Sequence, residues 1–176
     1  MDLTQYGVRI EPDQRLIVMM AALDAAGFDP TPQGKQVSPF RAIVRKDNAA
    51  LDQGLRDRMK NFFDKNKLPA PATAADQAAR YVSLAYALGP LPALDPPDRS
   101  DDLPGGLLEI LDFAPLVREY YRKSGIDERL IAYTQAYHAE GDRLRKPTGE
   151  MVRSVLSYLH TQPIIVTQER VRVQSP

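Results

Sequence analysis

Apolar positions return every three or four residues along most of this chain. The spacing holds from Ile10 to Leu159, and it is the period of an α-helix rather than the alternation of a strand. The first stripe is typical and consists of Leu16, Met19, Met20 and Leu23. Gly27 follows it and suits the left-handed position that ends many helices. The pattern predicts an all-α fold, an irregular multi-helix bundle of about six to seven helices.

The helix starts are predicted from two kinds of residue. One kind has a side chain that accepts from a free backbone N–H group, and the other is proline, which has no N–H group to satisfy. The predicted N-caps carry a side-chain oxygen that accepts from the first turn: Ser38, Thr73, Asp112 and Thr148. Pro12, Pro39 and Pro115 suit first turns, because the first N–H groups of a helix have no partner within it. Pro147 is predicted to end a helix that spans Ile126–Arg145.

One helix boundary is left undecided, and three helix faces are predicted to be either exposed or buried. Apolar positions continue from Phe40 to Phe62, and Lys46–Ala49 either interrupts this run or lies within it. The charged side chains predicted to face solvent there are Arg56, Asp57, Lys60, Asp64 and Lys65. Two later stripes are predicted to face inwards: Leu130, Tyr133, Tyr137 and Leu144, then Met151, Val152, Val155 and Leu159.

The chain is predicted to consist of a helical domain at residues 1–160 and a short C-terminal β segment at residues 161–176. Within the helical domain, residues 89–106 hold five prolines and are predicted to form a mobile loop. In the tail, Ile164–Val166 and Val171–Val173 are typical of strands. We expect them to pair as a hairpin around Gln168-Glu169, with a downstream domain, or with a neighbouring copy, the hairpin being the default. The tail is thus a trailing strand pair or the start of a following domain.

Composition excludes several classes of function. Lys and Arg balance Asp and Glu at 23 each, which argues against general nucleic-acid binding. No apolar run approaches the roughly 18 residues that suggest a membrane span. Cysteine is absent, so thiol catalysis, disulfides and thiolate metal sites are excluded. Met1 is followed by Asp2 without a signal-like segment, so a signal peptide is either absent or already removed. The compartment stays open.

The residues that could carry chemistry do not form a familiar motif. His138 has no second histidine one turn away, and His160 lies on a different predicted helix, so a zinc site would require the fold to bring them together. Five serines are explained as caps or helix positions: Ser38, Ser83, Ser124, Ser154 and Ser157. No Gly-x-Ser-x-Gly occurs. The sequence therefore predicts no catalytic residue, no metal ligand and no cofactor.

Tyrosines are the candidate binding residues. Tyr120, Tyr133 and Tyr137 fall on two successive predicted helices. They could line a groove for a peptide, because tyrosine is enriched at recognition surfaces. The alternative is that they close a helix–helix core with their hydroxyls at its rim, which is the commoner use of such residues.

The order of features also resembles a known family. An Ile-x-Pro opening leads into Leu-x-x-Ala-Gly-Phe at residues 10–28, a helix pair follows, Leu108–Tyr121 ends in Tyr-Tyr, and Tyr137 comes late in the next helix. This resembles the helical N-terminal region of a bacterial domain-of-unknown-function family whose downstream half is similar to zinc metallopeptidases with a His-Glu-x-x-His helix. That motif does not occur in this sequence, so the resemblance assigns no catalytic residue here.

Two functions are carried forward. The resemblance implies a non-catalytic N-terminal domain of a larger protein, the front part of a zinc metallopeptidase-like enzyme, with the downstream domain as its partner. The series of predicted helices, taken alone, favours a free-standing module that binds a protein or peptide partner. Any peptidase activity would need residues outside this sequence.

Overall fold

In the computed structural model, residues 2–3, 8–9, 13–31, 33–99, 103, 106–143, 145–158, 162–166 and 170–174 are described. They divide into two compact units. Residues 13–134 form one, the core unit, and residues 1–12 with 135–176 form the other, the terminal unit. The predicted division at residue 160 stays a prediction.

The regular secondary structure of the core unit is helical in its described residues. Its helices are α1 (Gln14–Ala25), α2 (Pro39–Asn48), α3 (Gln53–Lys65), α4 (Ala74–Ala87), α5 (Leu107–Ile110), α6 (Ala114–Ser124) and the first half of α7 (Ile126–Arg143). A 3-10 turn at Leu111–Phe113 joins α5 to α6. With α8 (Arg145–Tyr158) of the terminal unit, seven α-helices of ten or more residues occur in the described chain. The predicted all-α bundle of six to seven helices is confirmed.

Helix α1 is the centre of the core unit. It packs against α2, α3, α4 and α6. Its buried side chains are Ile17, Val18, Met19, Ala21, Ala22, Leu23 and Ala25. They surround most of the helix, as expected for a helix inside a domain. A row of aromatic rings extends the core, since Phe63 lies 5.4 Å from Phe28 and 5.7 Å from Tyr81, which lies 5.2 Å from Phe113.

Capping chemistry explains most helix starts. Ser38 accepts from the Arg41 N–H, with Pro39 in the first turn as predicted. Thr73 forms the predicted capping box with Asp76. Helix α1 begins later than expected: Asp13 is its N-cap and accepts from the Arg15 N–H, so the first helical residue is Gln14 rather than Pro12. A carboxylate at this position satisfies a free N–H group, which proline cannot do.

The open boundary is settled by a second acidic cap. Helix α2 ends at Asn48, and Asp52 accepts from the Leu55 N–H at the start of α3. Lys46–Ala49 therefore contains the end of one helix, and the apolar run belongs to two helices. The break separates Arg45 and Asn48 on α2 from Arg56 on α3.

The predicted cap at Asp112 is wrong. Asp112 lies within the 3-10 turn, and Phe113 occupies the cap of α6 without a side-chain hydrogen bond. The preceding turn replaces the cap, because the Ala114 N–H donates to the Leu111 carbonyl. Pro115 does lie in the first turn of α6, and Gly125, with φ of +62°, ends this helix as predicted.

Leu94 attaches the Pro-rich segment to the core. Leu94 is completely buried although it lies among prolines, and its φ of +49° is in the left-handed region. The Gly89 N–H donates to the Asp95 carbonyl over 2.8 Å, which closes the turn that carries Leu94. The predicted mobility of the loop stays a prediction, and Leu94 provides a test of it.

The terminal unit combines helix with short antiparallel strands. β1 (Asp2–Leu3) pairs with β2 (Val8–Arg9), and β3 (Gln162–Val166) pairs with β4 (Arg170–Gln174). Whether the second pair trails the chain or starts a following domain stays a prediction. Helix α7 ends at Arg143, so the predicted stop at Pro147 and cap at Thr148 are wrong: both residues lie in the first turn or so of α8. Proline is tolerated there because the first helical N–H groups need no intrahelical acceptor.

The last predicted stripe faces inwards only in part, since Val152 is half-buried. Met151 and Val155 are 60% and 50% exposed, and Tyr158 lies on the same side of α8 and is exposed. On α7, Leu130 and Tyr133 are buried as predicted, and Tyr137 is half-buried. Leu144 and Leu159 lie outside the described residues.

Candidate functional site: an arginine–carboxylate cluster beside a cavity

Two carboxylates converge where α1 ends. Asp24 lies in the last turn of α1, and Asp29 follows a tight turn at Gly27, which has φ of +85°. The Gly27 and Phe28 N–H groups donate back to the Asp24 and Leu23 carbonyls, each over 2.9 Å. Glycine suits this turn, because other residues rarely adopt a positive φ. The reversal brings Asp29 and Asp24 within reach of the same arginine.

Arg41 of α2 bridges these two carboxylates. Its guanidinium donates to Asp29 Oδ1 over 2.6 Å and to Asp24 Oδ1 over 3.2 Å. It also donates to Thr31 Oγ1 and to the Phe28 carbonyl. The Arg41 side chain is 13% exposed, so its bonds fix the loop after α1 in a largely dry environment. The charge-assisted bonds of this fork are stronger than neutral hydrogen bonds.

Arg45 lies one helical turn further along α2. It donates to Asp29 Oδ2 over 2.9 Å and approaches Asp24 Oδ1 to 3.6 Å. The hydrogen bonds from Thr31 and Arg41, with Arg45 adding less, hold the pKa of Asp29 well below its usual value. The same contact with Asp29 raises the pKa of Arg45. Both groups are therefore fully charged at neutral pH, and each is about half exposed.

Asn48 completes the same face of α2, one turn beyond Arg45. Its Nδ2 donates to the Ala21 carbonyl over 3.0 Å and to Asp24 Oδ2 over 3.2 Å. Its Oδ1 accepts from the Tyr120 hydroxyl over 2.8 Å. Its N–H donors and its amide oxygen are thereby all engaged. Asn48 is part of the wall that supports the charged cluster.

A cavity of about 410 Å³ lies beside this cluster. It is lined by Asp24, Ala25, Gly27, Phe28, Asp29, Arg45, Asn48, Ala49 and Arg56. Its volume is within the range of sites that hold small molecules or single side chains of a partner. The wall combines charged groups with the apolar surface of Phe28 and the alanines.

Arg56 of α3 is the unusual member of this wall. Its Nη2 donates to Gln53 Oε1, but its buried Nε has no hydrogen-bond partner among the residues that the structure describes. The predicted solvated face is correct for Asp57, Lys60 and Lys65, which are exposed, and wrong for Arg56, which is half-buried. The guanidinium of Arg56 can donate to a group inside the cavity.

The tyrosines predicted as a groove lie in different surroundings. Tyr120 and Tyr133 are each 1% exposed, as the core alternative expects. Their hydroxyls donate to Asn48 Oδ1 and, over 2.6 Å, to Asp47 Oδ2. Burial raises the pKa of both phenols, so they remain protonated donors. The fold brings both hydroxyls to the α2 side of the core, and Tyr137 is half-buried in the terminal unit.

A metal site and a membrane-spanning helix each have requirements that can be checked in the described residues. His138 is exposed, and His160 lies outside the described chain. No group of three or more His, Asp or Glu side chains in the described ranges is arranged to hold a metal ion. No described helix has the length and hydropathy needed to cross a bilayer.

The cluster was not foreseen from sequence, although part of its signal was present. Arg41, Arg45 and Asn48 follow one another at four and three residues, which places them on one face of α2. The pairing of that polar face with Asp24 and Asp29 depends on the Gly27 turn. Comparison with other proteins adds no guide, because no known protein family, curated protein or solved structure matches this chain.

Proposed function

We propose that this chain is a non-catalytic helical module that binds a peptide, and that the cavity beside Arg45 and Arg56 is its binding site. The observation that carries the proposal is the guanidinium of Arg56, which lines the cavity with a buried Nε that lacks a partner in the described residues. A buried donor of this kind costs free energy unless it is satisfied, and a ligand group in the cavity would satisfy it.

The chemistry of the cluster favours binding over catalysis. A general base acts best when its pKa is near the working pH, and the pKa of Asp29 is held far below that. Asp24 is held by Arg41 and by Asn48, so its oxygens are engaged in structural hydrogen bonds. Groups fixed in this way support a preorganised site, since they do not rearrange when a ligand arrives.

The family resemblance supplies the second proposal. It makes the chain the front part of a larger zinc metallopeptidase-like protein, in which the module would hold peptide for a downstream domain. Peptidase assays on casein with the chain alone and with the full gene product would separate the two. Activity in the full product alone favours the front-part proposal, and activity in the chain alone contradicts a non-catalytic module.

Filling the cavity tests the binding proposal directly. Ala49 lines the cavity, whereas its neighbour Ala50 does not, and both side chains are exposed. Ala49→Trp should abolish binding of an N-acetylated tripeptide pool, followed by amide chemical-shift changes at residues 24–29 and 45–56. Ala50→Trp is the matched control and should leave these changes intact. Equal binding by both variants would place the peptide elsewhere, and no saturable shift in the parent chain would reject the module.

A further inference from the structure

The charges around the cavity leave one positive charge in excess. Arg41 and Arg45 contact both Asp24 and Asp29, so these two arginines and two aspartates balance. Arg56 adds a third guanidinium, and it forms no salt bridge with any carboxylate in the described part of the chain. The charged residues that line the cavity balance by themselves, and Arg41, which holds both aspartates without lining the cavity, leaves the cluster matched by a ligand with a single negative charge.

The free donors around the cavity are guanidinium N–H groups. Arg45 binds Asp29 and Asp24 through Nη2 alone. Its Nε and Nη1 therefore form no hydrogen bond with the described residues. Arg56 offers Nε and Nη1 in the same way. Guanidinium groups bind planar oxyanions through paired N–H donors, and a carboxylate is the planar oxyanion with one charge.

We infer that the cavity recognises the C-terminal carboxylate of a peptide, with Arg56 as the residue that determines this specificity. The inference rests on the proposed function and deepens it by naming the peptide group that is read. A chain end fits this partly open cavity, since the peptide need not continue beyond its carboxylate. The last side chain of the peptide would pack against Phe28, Ala25 and Ala49, which form the apolar part of the wall.

The test uses two peptides that differ by one group. N-acetyl-Ala-Ala-Leu is prepared as the free acid and as the C-terminal amide, so the acetyl group removes the amino charge from both. Affinities are measured by amide chemical shifts of the full chain. We expect the acid to bind at least about tenfold more tightly than the amide, the minimum effect of one charge-assisted hydrogen bond.

Variants assign the preference to a residue. Arg56→Gln should remove the preference for the acid, and Arg56→Lys should restore part of it, because lysine keeps the charge but not the paired donors. Arg58→Gln removes the same charge from the same helix at an exposed position and should keep the preference. If Arg56→Gln fails to fold, the side-chain Nε–H resonance of Arg56 in the parent chain replaces it, and this resonance should move with the acid only.

The outcomes separate this inference from the proposed function. Equal binding of acid and amide overturns the carboxylate inference and leaves a peptide-binding module. An equal loss in Arg56→Gln and Arg58→Gln also overturns it, because that result reflects only the net charge of the surface. Binding of neither peptide form, nor of the tripeptide pool, rejects the proposed function itself.

Discussion

The Tyr120 hydroxyl donates a hydrogen bond of 2.8 Å to Oδ1 of Asn48, and both side chains are buried. The bond joins α6 to α2. Tyr120→Phe would keep the ring but leave a buried amide oxygen without its donor. We expect a loss of about 1–3 kcal/mol in the free energy of unfolding, measured with urea. Tyr86→Phe is the control, because Tyr86 is exposed, and it should change stability little.

The same variants decide whether Tyr120 is a binding residue. If Tyr120→Phe leaves stability unchanged and instead weakens peptide binding, the groove alternative holds for this residue. Loss of stability with retained binding assigns it to the core.

Glu119 gives the chain a measurable acid dependence. Hydrogen bonds from Arg58 and, less strongly, Lys123 lower the pKa of Glu119 to about 2, from a usual value of 4.5. Because the folded pKa lies below the unfolded one, this carboxylate stabilises the fold above about pH 4.5. The contribution is lost as the pH falls from about 4.5 to about 2.

Urea unfolding at a series of pH values checks this dependence. Glu119→Gln should be less stable than the parent chain at neutral pH and should approach it as Glu119 becomes protonated in acid. Glu150→Gln removes an exposed carboxylate from α8 and serves as the control. A constant difference across the pH series would show that Glu119 does not titrate as described.

Leu94 tests whether the Pro-rich loop is attached to the body. Its side chain is fully buried, so Leu94→Ala should cost about 2–5 kcal/mol in the free energy of unfolding. The neighbouring Ala93→Gly is an exposed control on the same turn. In limited proteolysis, residues 89–95 should resist cleavage. Early cleavage within 89–95, with little effect of Leu94→Ala, would establish the predicted mobile loop there.

Two threonines provide a paired test of helix starts. Thr73 accepts from the Asp76 N–H at the start of α4, so Thr73→Ala should cost about 1 kcal/mol. Thr148 was expected to be a cap but lies inside α8, so Thr148→Ala should cost clearly less. Thermal unfolding of the two variants measures both. An equal loss would restore Thr148 as a cap and would place the start of α8 at Gly149 instead of Arg145.

The sequence predicts the helices well because their determinants are local. Ser38, Thr73, Gly27 and Gly125 act within a few residues of their own position, and apolar spacing reports which face is buried. Asp112 failed as a cap for an equally local reason that the cap pattern does not reveal, since Asp112 lies inside a 3-10 turn that continues into α6.

The site was less predictable because its members come from distant parts of the chain. Arg56 has the same charged, helical context as Asp57 and Lys60, and its burial follows from where α3 lies beside the loop of Asp29. A charge on a helix face is normally solvated, so the sequence favours the wrong surroundings for this one residue. Packing, rather than spacing, distinguishes Arg56 from its neighbours.

The saturated amide of Asn48 also restricts how α2 can lie on its neighbours. Sliding α2 by one turn along its axis would bring Val44 opposite the Ala21 carbonyl and the Tyr120 hydroxyl, and a valine side chain can neither donate to one nor accept from the other. Such misaligned packings would leave buried polar groups without hydrogen bonds. This costs free energy that a purely apolar contact would not lose. A single asparagine thus sets the position of α2 along its axis, and with it the place where the Arg45 guanidinium meets the cavity.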